Sequence, residues 1–372
     1  MSKRVLIVLA PLGSGHRSIA QAVTEALTEF DRSVIVEQLD IFSREGCRFP
    51  LTLAPRLYAL FTSRYPFLWR AMYYGTNSRS RYAIAERISQ PFVYRRLKDT
   101  LARCAPDTIV SVFPALGFTL DRAIRDLHRQ IPLGIVVVDM FSIHQAWLFN
   151  RASWYAVPTD EAATLFRNIG ISPELVHPSG LPLRQAFTNL PDDRVFLRSR
   201  LGLPETGQIV LISSTGVGAG RLNDIVRGFV AGEQGVYSVV ITGQDQGLCH
   251  RLEDAVGGSL GRILGRVDNM AEWMASADVL VTKAGPTTIA EAIQCRLPMV
   301  VTGAIPGQEE GNLTFIKESG IGLVASRSQD IISSVMRLLF DKALTLHMKD
   351  VMTTLQRPRA AREVAELILG GL

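Results

Sequence analysis

Long hydrophobic runs are missing from this chain. Segments such as LIVLA at 6–10 and IVVV at 135–138 stop at Pro11 and Asp139, far short of the roughly 18–20 residues a membrane-spanning helix needs. The opening MSKR followed by that short run and a glycine turn reads as a first strand rather than a secretion signal, so a cytoplasmic location is expected. Cysteines number four, Cys47, Cys104, Cys249 and Cys295, with no C-x-x-C pair, which argues against a disulfide framework or a thiolate metal site. Neither D-x-D nor H-E-x-x-H occurs, and no His/Cys cluster forms, so a metal-dependent mechanism is not suggested. A Walker A loop is excluded because no G-K-S or G-K-T is present. Short repeats and low-complexity tracts are lacking too. Charge is sparse, 20% of residues against 47% hydrophobic, which places the chain among globular rather than disordered proteins.

What is present is room for two domains in 372 residues and a pattern that runs twice. Continuous apolar runs mark buried parallel strands at 4–10, 33–39, 108–113, 133–138, 154–157 and 175–177, with helical stretches at 17–30 and 119–130. A turn-rich stretch follows at 178–193. Strand signals then resume at 208–213, 237–242, 262–264, 278–282, 298–302 and 321–324, with helices at 219–231, 269–275, 287–294 and 310–318. Strands alternating with helices predict an α/β protein of two doubly wound, Rossmann-like domains joined near 185–195, with an interdomain cleft as the default ligand site.

Four turns carry chemistry. Gly13-Ser14-Gly15-His16 follows the first strand. Its glycines let backbone N–H groups approach a substrate or phosphate, and His16 is placed to accept a proton near neutral pH or is incidental to a phosphate loop. Lys283-Ala284-Gly285-Pro286-Thr287-Thr288 opens a helix after DVLVT. Pro286 suits the first helical turn, and the free N–H groups with the helix dipole make a pyrophosphate site. Glu291, further along that helix, reads equally as a ligand for two ribose hydroxyls or as a solvated side chain. Gln308, Glu309 and Asn312 cluster after PMVVT, suited to sugar hydroxyls or simply a polar surface turn. Asp139 ends IVVV, with His144 and Trp147 close behind; it either orients an imidazole or caps the next helix. His128, His177, His250 and His347 lack partners at metal spacing and read as structural.

The positive charge is concentrated. Residues 48–103 hold eleven basic side chains against two acids, a net +9 where the whole chain is +5, and eleven of its aromatics. Arg64, Tyr65, Phe67, Trp69, Arg70, Arg95 and Arg96 typify this window. Arginines can pair with lipid phosphates while Trp and Tyr settle at headgroup depth. The leucines among them favour lipid over a nucleic-acid partner, although stacking aromatics with Arg also suit the latter. An ordinary amphipathic helix pair with a solvated basic face is the plainer alternative.

Taken together these motifs resemble the monogalactosyldiacylglycerol synthase and processive diacylglycerol glucosyltransferase family, and more distantly the MurG-type transferases. The resemblance runs nearly end to end. It is carried by KAGPTTIAEA with PGQEEGN, by GSGHRSIAQA, by DMFSIHQAWLF and by GLPLR at 180–184. Three departures stand out: Ser213-Ser214-Thr215-Gly216-Val217-Gly218 in place of a glycine-rich run, Val138 before Asp139 in place of Thr, and Thr287 where Gly is common.

The resemblance implies a GT-B fold. It implies an acceptor and membrane-docking domain over 1–190, a UDP-sugar domain over 191–345, and a helical segment, 346–372, packing back on the first. It implies a metal-free, inverting transfer of galactose or glucose from UDP-sugar to diacylglycerol, with no cofactor beyond that co-substrate, at the cytoplasmic face of an anionic membrane. His16 is implied as base; Asp139, read above at the same sheet edge, is the other catalytic candidate. The substrate-binding candidates are Gly13, Ser14, Gly15, Thr215, Gly216, Val267, Lys283, Gly285, Pro286, Thr287, Thr288, Glu291, Gln308, Glu309 and Asn312, with Thr287 and Thr288 implied at the diphosphate, Glu291 at the ribose, and Gln308 and Glu309 at the sugar. A transferase acting on a polyprenyl-diphosphate lipid, a UDP-sugar 2-epimerase and a non-catalytic UDP-sugar sensor are the competing readings.

Overall fold

A computed structural model describes residues 2–13, 15–214, 219–231, 235–256 and 261–370. It divides into two compact units. The first comprises Met1–Gln185, Ile305–Gly311 and Arg357–Leu372, the second Ala186–Ala304 and Asn312–Gln356. The division differs from the expected 190 and 345: the second unit keeps the chain to Gln356, and seven residues from its middle belong with the first.

The first unit is built on a six-stranded parallel sheet of order β2-β1-β3-β4-β5-β6. Its strands are β1 Arg4–Leu9, β2 Ile35–Asp40, β3 Thr108–Ser111, β4 Leu133–Val136, β5 Trp154–Ala156 and β6 Val176–His177. The helices of this part of the chain are α1 Gly15–Phe30, α2 Ala54–Arg64, α3 Pro66–Thr76, α4 Arg79–Cys104, α5 Gly117–Arg125, α6 Asp160–Asn168 and α7 Gln185–Thr188. Strands covered on both faces bury every side chain, which is why Val5–Leu9 read as one apolar run and are all buried. Gly134 in β4 lies where no side chain fits, since a Cβ there would sit 2.0 Å from the Trp154 ring.

The second unit repeats the plan with order β12-β11-β10-β7-β8-β9, all parallel. Its strands are β7 Gln208–Ser213, β8 Val236–Ile241, β9 Gly261–Leu264, β10 Val279–Thr282, β11 Met299–Val301 and β12 Gly322–Val324. The helices run α8 Arg194–Arg200, α9 Ala219–Ala231, α10 Gln246–Val256, α11 Met270–Ser276, α12 Pro286–Gln294, α13 Glu310–Ser319, α14 Ser328–Phe340 and α15 Lys342–Leu355. Val210, Ile212, Val226, Val281, Val300 and Val335 form the centre of its core.

At the other end of the second sheet a buried Arg198 ties three elements together. Its Nη2 donates to Asp278 at 2.9 Å, its Nε to the Ser276 carbonyl, and its Nη1 to the carbonyls of Glu205 and Gly207. Asp278 also accepts from Arg194 and from the Ile209 amide.

The last helix, α16 Ala360–Leu369, returns to the first unit and packs on α1, where Lys3 Nζ donates to the Ile368 carbonyl at 2.7 Å. The four cysteines are free. Among the described residues no helix is long and apolar enough to cross a membrane. The window 48–103 folds as α2, α3 and the 26-residue α4. Helix α5 starts two residues before the expected position and stops at Arg125 rather than 130, because His128 takes up a left-handed conformation (φ 52°) and Pro132 leads into β4.

Candidate functional site

In the first unit the polar groups gather where the strands end. Gly13, with φ +80°, turns the chain from β1 into α1, and Gly15 and His16 form the first turn of that helix. His16 is buried, and its Nδ1 lies 2.6 Å from the Val112 carbonyl just past β3. A carbonyl only accepts, so Nδ1 carries the hydrogen and Nε2 keeps its lone pair. Phe113 meets the ring edge-on at 5.8 Å. Burial pushes the imidazole down to about 4, partly opposed by the Val112 bond; at neutral pH the ring is uncharged. The orienting group is thus a backbone carbonyl, which leaves no side-chain signature, and the expected pairing with Asp139 gives way to it.

Asp139, past the end of β4, instead accepts from Trp147 Nε1 at 2.7 Å. Burial raises it to about 7, the polar side chains of Trp147 and Gln308 hold it down, and the nearby Glu309 carboxylate pushes it up further. His144 is a brace. Its Nδ1 accepts from the Ala146 amide, and its Nε2 lies 3.2 Å from the Tyr73 carbonyl and from Thr76 Oγ1.

Gln308 and Glu309 stand on the Ile305–Gly311 segment, which belongs to the first unit. Tyr58 on α2 donates to Gln308 Oε1 at 3.2 Å, and Tyr74 on α3 to Glu310 at 2.7 Å. Tyr73 donates to the Ser142 carbonyl, while Ser142 Oγ accepts from the Gly311 amide. Gly307, at φ +78°, sits under the Tyr73 ring so closely that a Cβ would lie 2.5 Å from it. Glu309 is buried and accepts from the Ile305 amide at 2.8 Å. Sequence reasoning placed Gln308 and Glu309 with the donor domain and missed the tyrosines that seat this segment. Tyr58 and Tyr73 were visible only as members of an aromatic window, because their partners lie some 250 and 70 residues away.

In the second unit Lys283, Ala284 and Gly285 lead from β10 into α12, with Pro286 at its first position. Thr287 and Glu291 are buried and Thr288 is half-buried. The N-cap of this helix, Gly285, has no side chain to bond the first N–H groups, and such groups suit an anion. Val267 is half-buried just past β9, at the same edge of the sheet. Asn312 differs from the expectation of a sugar ligand. It is buried, and its amide donates to the Ala284 carbonyl at 2.8 Å, bracing the turn before α12. Ser14, Thr215 and Gly216 lie outside the described residues.

Of the basic aromatic residues, Arg64, Tyr65, Phe67, Arg70, Arg95 and Arg96 are exposed and Trp69 is half-buried against Tyr58. The hairpin of α2 and α3 turns Tyr58, Trp69 and Tyr73 inward and leaves Leu57, Leu60, Phe67, Leu68 and Met72 in solvent, Phe67 at 66% exposure.

Two doubly wound parallel sheets, each with its polar residues where the strands end, define a GT-B protein. The solved structures similar to it have that fold. Acinetobacter baumannii MurG matches with a TM-score of 0.61 at 14% identity over 99% of both chains. An S. aureus MnaA–UDP co-structure matches with a TM-score of 0.64 at 14% identity over 100% of this chain and 98% of that one.

Sequence comparison gives the family. Residues 16–183 match the monogalactosyldiacylglycerol (MGDG) synthase model and 217–313 the glycosyltransferase family 28 C-terminal domain. The chloroplastic monogalactosyldiacylglycerol synthase of Spinacia oleracea is 31% identical over 93% of this chain and 68% of its own. A processive diacylglycerol beta-glucosyltransferase of Bacillus mycoides is 25% identical over 98% and 93%. The chain belongs to the monogalactosyldiacylglycerol synthase family of glycosyltransferases.

Proposed function

We propose that the chain transfers a hexose, galactose or glucose, from a UDP-sugar to diacylglycerol, with inversion and without a metal, at the cytoplasmic face of a membrane. The observation that carries this reading is the His16 ring: buried, uncharged, and held by Val112 with Nε2 free. Nε2 takes the proton from the lipid hydroxyl, whose oxygen bonds to the anomeric carbon as the bond to UDP breaks. The charge that grows on UDP is met by the uncapped N-terminus of α12 and by Lys283, groups that need no reorganisation as the charge appears. Glu291 takes the ribose, and Gln308 and Glu309 the sugar. The names of the spinach and Bacillus relatives support both hexoses. The epimerase reading shares the fold alone.

The test is incubation of the purified chain with radiolabelled UDP-galactose or UDP-glucose and dioleoylglycerol vesicles, with and without EDTA. Labelled glycolipid of inverted anomeric configuration is expected, at equal rates in both conditions. Label confined to water-soluble products would end the transferase reading, and loss of activity in EDTA would end the metal-free one.

The α2–α3 hairpin is the proposed docking surface. Its exposed leucines, Phe67 and Met72 enter the headgroup layer while Arg56, Arg64 and Arg70 meet anionic lipid, each basic residue adding on the order of 1 kcal/mol. Burying one phenylalanine is worth about 1.5–3 kcal/mol, so Phe67→Asp should weaken sedimentation with phosphatidylglycerol vesicles about tenfold or more. Unchanged sedimentation would move the docking surface elsewhere.

A further inference from the structure

The third helix of the basic window, α4, holds the start of α5 from outside. Tyr82 and Glu86 lie four residues apart, so they share one face of α4, and both are buried. The Tyr82 hydroxyl accepts from the Leu116 amide at 3.2 Å. Glu86 Oε1 accepts from the Thr119 amide at 2.8 Å and from Thr119 Oγ1 at 2.9 Å. These amides belong to the first turn of α5, where no carbonyl of the helix can reach them. A helix commonly meets that need with the side chain of its own N-cap residue. Here the N-cap is Leu116, which carries no such oxygen and stands at φ 91°, a conformation leucine rarely enters. Such a residue persists where its surroundings fix it. Tyr82 and Glu86, 34 and 33 residues earlier, do the fixing.

The stretch in front of α5 is the one that holds the imidazole. Only Phe113, Pro114 and Ala115 separate Val112 from Leu116. The Val112 amide donates to the Val8 carbonyl at 3.0 Å, and its own carbonyl faces His16 Nδ1 at 2.6 Å. Phe113 sets its ring edge-on to both His16 and Phe42, and its carbonyl accepts from Ser111 Oγ at 3.0 Å. One end of the stretch is thus fixed by the sheet and the other by α4. Pro114 restricts the backbone between them. With so few residues in the span, a displaced Leu116 shifts Phe113 and turns the Val112 carbonyl.

We infer that Tyr82 and Glu86 are positioning residues for His16: by capping α5 from α4 they hold Val112 and Phe113 where these fix the imidazole in one tautomer. This rests on the reading above in which His16 is the base. A role confined to folding would lower stability and leave the ring of the folded protein as it was. A positioning role changes the ring itself, and changes the rate only where the ring takes part.

The experiment uses the full chain with Glu86→Met, Glu86→Gln and Tyr82→Phe, alone and with His16→Ala. Glu86→Met keeps the length of the side chain and removes both acceptors of Thr119. Its kcat on diacylglycerol vesicles should fall about tenfold, with the KM for UDP-sugar within about twofold. Glu86→Gln, which keeps an oxygen for Thr119, should recover most of that loss. In the His16→Ala background Glu86→Met should cost nothing further. Nitrogen-15 spectra of the imidazole should show one protonated and one bare nitrogen in the wild type, and the two signals drawn together in Glu86→Met and Tyr82→Phe as tautomers mix. Ring signals unchanged in both variants would overturn the inference. So would a Glu86→Met loss that persists without His16, or a Glu86→Gln rate no better than that of Glu86→Met. If Glu86→Met does not fold, Tyr82→Phe carries the same comparisons. If the wild-type chain labels no lipid, the reaction assigned above falls by itself, and the imidazole spectra decide whether α4 positions His16.

Discussion

His16→Ala should lower hexosyl transfer by about 10²–10⁴-fold, the contribution expected of a positioned general base, while UDP affinity stays at the wild-type value. The argument rests on how the ring is held. Val112 fixes the tautomer and Phe113 the tilt, so one nitrogen is committed and the other is free. With its basicity pushed down to about 4 by burial, the imidazole of the proposed mechanism would take its proton only as the new glycosidic bond forms. The variant His16→Gln, closer in volume, separates loss of the base from a cavity in the core. Steady-state rates with isothermal titration of UDP check both parts, and a wild-type rate in either variant would remove His16 from the mechanism.

The same ring makes acid sensitivity predictable. Its folded pKa lies below the unfolded value of 6.5, so between the two the unfolded chain binds a proton that the folded chain refuses. Stability therefore declines as pH falls from 6.5 to about 4, by up to about 3 kcal/mol from this group, and no further below that. Replacing His16 by Gln should flatten that part of the curve.

Arg198→Met should destabilise the second unit by about 3–5 kcal/mol, as breaking a buried charged pair commonly does. Arg198 is 4% exposed and serves Asp278 and three carbonyls at once. Methionine fills the space but leaves the Glu205 and Gly207 carbonyls without this donor, and Asp278 with Arg194 and the Ile209 amide. Arg198→Lys should recover only part of the loss, because an ammonium cannot reach all four acceptors from one planar fork. Hydrogen exchange at the β7 and β10 amides reads the second unit apart from the first. Protection equal to wild type would show that the cluster adds little.

The strands were legible because a sheet covered on both faces demands unbroken apolar runs. RVLIVL, QIVLIS and the VLVT of β10 appear in the structure almost as read. Boundaries moved where strands end in polar turns, as when Val137 and Val138 continue the apolar run past the end of β4 at Val136. The turns holding His16 and Pro286 were legible for a related reason, since glycine and proline at a strand-to-helix junction state a backbone need. The partners were not. Val112 acts through a carbonyl that any residue would supply, and Tyr58 reaches Gln308 across 250 positions. Asn312 read as a ligand because a polar residue in a turn gives no hint that it is buried behind that turn.

The path of the chain bears on any exchange of donor preference between relatives. A hybrid joined once, at about residue 186, would bring residues 305–311 from one parent against α2 and α3 from the other. Since that segment is seated by Tyr58, Tyr73, Tyr74 and Ser142, a hybrid mismatched at these positions would carry a 305–311 segment that does not fit the hairpin it must pack on. Recombinants that carry this segment together with its tyrosines keep the first unit's packing whole.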